Sequence, residues 1–193
     1  MDTAIGGYNY GDIPASPVSL EELQLLKQTV DLTDADIAWL RRAGDVLEDQ
    51  TAQVVGAWRE VIAANPHLAR YYWSREGVPD ENYKARVARR FQQWILDVCR
   101  RSYDRPWLDY QHEIGARHTH LKKNMADAAN AVPHIPLRYV IAFTAVINGR
   151  VKPFLAAKGA SVADAEAMHG AWCKATLLHV ALWSRPYVSE SDW

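Results

Sequence analysis

Residues 106–121 read PWLDYQHEIGARHTHL. Pro106 suits the first turn of a helix, and Trp107, Tyr110, Ile114, His118 and Leu121 then recur at spacings of three and four. That period predicts an amphipathic helix with an imidazole on its buried stripe, and Gly115 beside it predicts a gap in the packing. A histidine so placed is either hydrogen-bonded in the core or ligated to something inserted against the helix, and the pattern leaves both open. His120 falls roughly 200° further around, so the His118-Thr119-His120 triplet is not a two-ligand zinc site. His179, among Ala175, Leu182 and Trp183, reads equally well as a satisfied core or interface histidine.

Outward from this stretch the chain reads as all-helical. Ser19 with Glu22 forms a capping box ahead of Leu23, Leu26 and Val30. Thr33 with Asp36 opens a second, longer helix whose apolar set, Ile37, Leu40, Leu47, Val54, Trp58 and Val61, keeps helical spacing to Asn65-Pro66, with a break near Gly44 left open. Tyr83, Val87, Phe91, Trp94 and Val98 give the clearest stripe in the sequence. Further helices are expected from Pro136 through Phe154 and from Ser161 to about Ser184. Those two are apolar on more than one side, so they form either the centre of the domain or a dimer seam. Residues 1–18 hold Gly6, Gly7, Gly11, Pro14 and Pro17 and predict an irregular arm that Tyr8 and Tyr10 could pin; residues 19–193 form a single domain.

Composition narrows the functions. The 193 residues suffice for one core burying roughly 70% of the unfolded surface. Lys+Arg 22 against Asp+Glu 23 lacks the cationic excess that nucleic acid demands. No apolar run is long enough for a membrane span and the first residues show no signal-peptide pattern, so a cytoplasmic protein is expected. Cys99 and Cys173 lie inside apolar patterns without metal-ligand spacing and read as buried thiols. Eight Trp and nine Tyr against three Phe favour side chains that combine apolar area with a polar handle. Phosphate loops, nucleophile elbows, HExxH and paired Glu-x-x-His motifs are absent from the sequence.

Arg59 is the second anomaly, because Val55, Gly56, Ile62 and Ala63 surround it on its predicted helix. It either snorkels to solvent or aims into a cavity to meet an anion or polar ligand.

Several segments together resemble the protoglobins, single-domain haem proteins related to the sensor domains of globin-coupled sensors. They are Gly7-Tyr8-Asn9-Tyr10-Gly11, Leu47-Glu48-Asp49-Gln50, Trp94-Ile95-Leu96-Asp97, Trp107-Leu108-Asp109-Tyr110-Gln111, Gly115-Ala116-Arg117-His118, Val132-Pro133-His134-Ile135 and Ala181-Leu182-Trp183-Ser184. The resemblance implies a globin-like three-over-three helical sandwich with an additional N-terminal helix and an arm that helps bury haem b. It implies His118 as the proximal iron ligand, Trp58 as the distal aromatic, and Phe91 and Val87 on the distal helix. Phe143 would be an aromatic near the haem, while Ile114 and Tyr8 complete the expected cofactor contacts. It also implies a homodimer through the last two helices.

Three departures stand out. Arg59 stands where the family usually has a tyrosine, Thr119 where relatives have a second histidine, and Ala145-Val146-Ile147-Asn148 where a Tyr-Pro pair is usual. A permanent cation favours anionic ligands. The expected function is reversible binding of small diatomic or anionic ligands, namely O2, CO, NO or cyanide. One alternative is a haem enzyme with peroxidase-like or NO- and nitrite-processing chemistry aided by Arg59. Another is a gas-sensing or helical interaction module, although no output domain is expected after Trp193.

Overall fold

The computed structural model describes residues 4–193. Its first two helices start where their capping boxes dictate. In α1 (Leu20–Thr29) the Ser19 hydroxyl accepts from the Glu22 amide while the Glu22 carboxylate accepts from the Ser19 amide. Thr33 and Asp36 repeat the exchange for α2 (Asp34–Leu47). The helices that follow are α3 (Thr51–Ala64), the single turn α4 (Pro66–Ala69), α5 (Glu81–Arg100), α6 (Arg105–Ala116), α7 (Leu137–Leu155) and α8 (Val162–Ser184). Among the described residues there is no strand, only the isolated bridges Trp73 to Pro79 and Ser74 to Ala131.

Helices α2, α5 and α6 form one layer and α3, α7 and α8 the other, a three-over-three sandwich with α1 added against α6 and α8. The core holds Trp58, Trp107, Trp172, Leu40, Ile95 and Leu178, all essentially without solvent contact. Helix α8 is the central post, touching α1, α2, α5, α6 and α7: Met168, Ala171, Trp172, Ala175, Leu178, His179, Leu182 and Trp183 are buried along one broad face of it. The opposite side of α8 carries Leu177, which like Ile141 on α7 is about half exposed.

Two expected helices are shorter than their stripes. The stretch from Thr33 to Asn65 is two helices, parted at Glu48–Gln50 rather than near Gly44. The Gln50 side-chain amide donates to the carbonyls of Val46 at 2.8 Å and Phe154 at 3.3 Å, so a contact with α7 fixes the corner. Helix α6 ends at Ala116, and Leu121, expected on the buried stripe, is 55% exposed. The helix stops because the His118 and Thr119 amides take tight bonds to the carbonyls of Gly115 and Ala116, three residues back. Nor is Gly115 a gap: a Cβ there would lie 3.0 Å from the Cα and O of Trp183. It marks the point where α6 touches the end of α8.

The arm is held by many directed bonds. Tyr8 Oη donates to Asp97 at 2.7 Å, and the Tyr8 and Tyr10 rings pack on Tyr110 at 5.2 and 5.4 Å. Arg90 donates to the Gly6 carbonyl and Arg117 to the Gly7 carbonyl. Gly7 has φ 74°, which disfavours a larger residue, and a Cβ there would also push on Arg90 Nη1, 2.8 Å away. Both cysteines are free, Cys99 buried and Cys173 only half-buried.

Candidate functional site

His118 is the second residue beyond α6, and the helix end determines its chemistry. Its Nδ1 lies 2.8 Å from the Ile114 carbonyl, one of the acceptors an ending helix leaves open. Burial, with Lys123 nearby, lowers the imidazole pKa and keeps the ring neutral. A neutral ring donating through Nδ1 carries its lone pair on Nε2, and among the described residues no hydrogen bond engages that nitrogen. The Trp183 ring stacks nearly parallel to it, with centroids 5.8 Å apart and planes at 21°. These two contacts fix the orientation of the imidazole.

Two adjoining cavities meet at this ring and share Tyr71, Tyr72, Phe91, His118, Ile135 and Trp183 as walls. One extends beneath the arm to Tyr8, Tyr110, Arg90, Arg117, Lys123 and Asp127, with Val87 and Ile114 on its sides. The other runs between α3 and α7 along Ile62, Leu68, Phe143 and Ile147. One end of the combined space is therefore charged and the other apolar.

At the charged end Asp127 is paired with Arg90 and, at 2.9 Å, with Arg86, while Arg117 is paired with Glu113 at 2.9 Å. Lys123 has no such partner. Its ammonium donates to the Tyr71 carbonyl at 2.8 Å and lies near the Tyr83 hydroxyl and the Asn124 amide oxygen, all neutral. The residue is 4% exposed, and burial pushes its pKa down to about 8. Three cations against one carboxylate line this cavity, so it favours a ligand carrying negative charge.

Of the residues picked out from the sequence, His118, Phe91, Val87, Phe143, Ile114 and Tyr8 all border this space. Trp58 and Arg59 do not. Trp58 is buried behind Phe91, edge-on to it and to Trp94 at 6.2 and 6.1 Å, with its Nε1 unpartnered. Arg59 lines a third cavity, between α3 and α5, with Glu60, Glu81 and Lys84. That cavity meets the others at Ile62, Tyr72, Val87 and Phe91. Arg59 makes no hydrogen bond or ion pair among the described residues, but its charge reaches the Tyr72 phenol, where burial raises the pKa and Arg59 and Arg90 oppose it. Tyr71, Tyr72, Lys123 and Arg90 were not singled out from the sequence, since the two tyrosines come from a short turn and Lys123 from a polar loop, where no periodicity points to burial.

The protoglobin family profile matches residues 19–193. Among solved structures, the globin domain of a Geobacter sulfurreducens globin-coupled sensor superposes with a TM-score of 0.65 at 16% identity, covering 86% of this chain and 97% of that one. The ferric globin domain of E. coli DosC gives 0.63 at 13% identity, covering 86% of this chain and 99% of its own. A search of curated proteins returned no match. The two structural likenesses show the globin fold. With the profile spanning every helix from α1 to α8, the chain belongs to the protoglobin family, and membership implies a haem-binding globin.

Proposed function

We propose that this protein holds haem b in the two cavities that meet at His118 and reversibly binds small gaseous or anionic ligands on the side of Phe91 and Val87. The observation that carries this reading is the state of His118: a neutral imidazole, fixed through Nδ1, with a free Nε2 lone pair bordering a cavity. That is the donor a haem iron takes from a globin chain. The walls suit the rest of the group. Phe91, Ile135, Phe143 and Trp183 offer faces to an apolar macrocycle, and the unpaired Lys123 offers a cation to a carboxylate. When bound, haem supplies an iron with a position open to small ligands.

The chain's own residues do the rest. The Ile114 carbonyl holds the His118 proton at Nδ1 and strengthens Nε2 as a donor. Trp183 keeps the ring from turning. Tyr8, clamped by Asp97, covers the charged end and excludes water. Arg59 acts from the neighbouring compartment, drawing anions such as cyanide or nitrite toward Phe91 and Val87. Free Cys99 and Cys173 fit a reducing compartment, the cytoplasm. Exposed Ile141 and Leu177 support a homodimer through α7 and α8.

Titration of the haem-free protein with haem and with protoporphyrin dimethyl ester, for wild type and Lys123→Met, tests the carboxylate contact. Haem affinity is expected to fall in Lys123→Met, whereas the uncharged ester binds both proteins alike. Equal haem affinity in the two proteins contradicts the contact.

A further inference from the structure

Behind Trp183 an unbroken chain of rings leads away from the His118 cavity. Trp183 lies 5.8 Å from His118 and 5.7 Å from His179, ring centre to ring centre; His179 lies 5.2 Å from Trp107, and Trp107 lies 4.6 Å from Tyr103. Trp94 joins the chain at 5.6 Å from both Trp183 and His179. Tyr103 is half-buried at the far end, its hydroxyl buried and unpartnered and Lys27 above its ring. Indole and phenol rings are the protein side chains that lose one electron most readily; here they adjoin at Tyr103–Trp107 and Trp94–Trp183, and the His179 imidazole bridges the step between the two pairs.

The second observation is the use of His179. It is fully buried, its Nδ1 accepts a hydrogen bond from Trp94 Nε1 at 3.0 Å, and its Nε2, which must then carry the proton, has no partner. A leucine here would remove the orphaned Nε2 donor but leave the Trp94 indole N–H without an acceptor. What the imidazole adds is a base on an indole N–H.

We propose that these rings relay single electrons inward from Tyr103 to the His118 cavity, with Trp94 as the place where an oxidising equivalent rests. The proposal rests on the haem reading above and names hydrogen peroxide as oxidant and a phenol-class molecule as donor. Each electron leaving Trp94 lets its indole proton move along the hydrogen bond to His179 Nδ1; an electron arriving through Trp107 returns that proton to the indole. Burial holds the His179 pKa down to about 3, so the imidazole gives the proton back readily. One peroxide takes up two electrons and two protons and leaves as two waters. Two phenols at Tyr103 each lose one electron and one proton, which closes the balance.

The test treats haem-loaded protein with peroxide and reads organic radicals by freeze-quench electron paramagnetic resonance and oxygen additions by peptide mass mapping. The ferric Soret band is recorded first. Wild type is expected to give an indole radical and oxygen additions at Trp94, Trp107 or Tyr103. Trp94→Phe is expected to lose the indole radical, and His179→Gln, which keeps a hydrogen-bond acceptor for Trp94 but no base, to lower its yield or leave it as the protonated radical cation. Tyr103→Phe, remote from the cavity, is expected to keep the radical but lose turnover of a phenol too bulky to enter the fold. Should Trp94→Phe fail to hold haem, Tyr103→Phe decides. A haem-loaded protein whose radical and phenol turnover are unchanged by these substitutions overturns the relay alone. A wild type that takes up no haem overturns the relay together with the haem reading.

Discussion

Lys123 brings a positive charge into a nearly closed cavity without a carboxylate to meet it. Its pKa falls from an ordinary 10.5 to about 8 in the folded haem-free chain. Between those values the unfolded chain keeps a proton that the folded chain has released, so this group makes folding more favourable as pH rises from about 8 toward 10.5. Below about 8 both states hold the proton and the full penalty of the buried charge is present. Denaturant unfolding of the haem-free protein is expected to show this rise between about pH 8 and about pH 9.5, and Lys123→Met to flatten it. The same slope in both proteins contradicts the assignment. Arg59 gives a prediction of another kind. Arg59→Leu is expected to slow ferric nitrite association by about tenfold while leaving carbon monoxide association nearly unchanged, because a field steers anions and not neutral ligands. Stopped-flow mixing at two salt concentrations measures this, and equal slowing of both ligands rejects it. His118 and Arg59 were visible in the sequence as polar residues among apolar neighbours. Lys123 was not, because a lysine in a polar loop looks solvated until the Tyr71 carbonyl and Tyr83 are folded over it.

Helix starts were legible because caps are local: Ser19, Thr33 and Ser161 each bond the amide three residues on, as their spacing required. Helix ends were less so. The corner at Glu48–Gln50 interrupts a continuous apolar stripe, and it depends on the Phe154 carbonyl, 104 residues away. The last turn of α6 likewise meets a distant segment, with Trp183 and Pro186 packed against Gly115. Gly115→Ala is expected to destabilise the fold by about 1–3 kcal/mol, since the new methyl meets backbone that cannot move aside. Its thermal unfolding is the check; an unchanged midpoint shows that α6 and α8 have room to part. The arm was legible as irregular chain with two anchoring tyrosines, but the Tyr8 to Asp97 bond and the arginine clamps join positions too distant for any local pattern.

At the scale of the molecule, both readings of the last two helices bear on α8. Its all-round apolar character was legible; its place as the central post of the sandwich accounts for one broad face and leaves Leu177 on the other side. Ile141 and Leu177 remain exposed on adjacent helices, and they motivate the proposed dimer. Leu177→Glu is expected to convert a dimer to a monomer in sedimentation velocity without loss of helicity; a wild type that sediments as a monomer at all concentrations rejects that interface. The sandwich itself places the ends of α5 and α6, the turn at Tyr71 and Tyr72, and α7 around one space. The most direct test of the account is the absorption spectrum of haem-loaded protein, recorded ferric, ferrous and ferrous with carbon monoxide, for wild type and His118→Ala. The account predicts a strong Soret band that carbon monoxide shifts in wild type and that is lost or markedly altered in the variant. A Soret band of the same position, intensity and carbon monoxide shift in His118→Ala would contradict it.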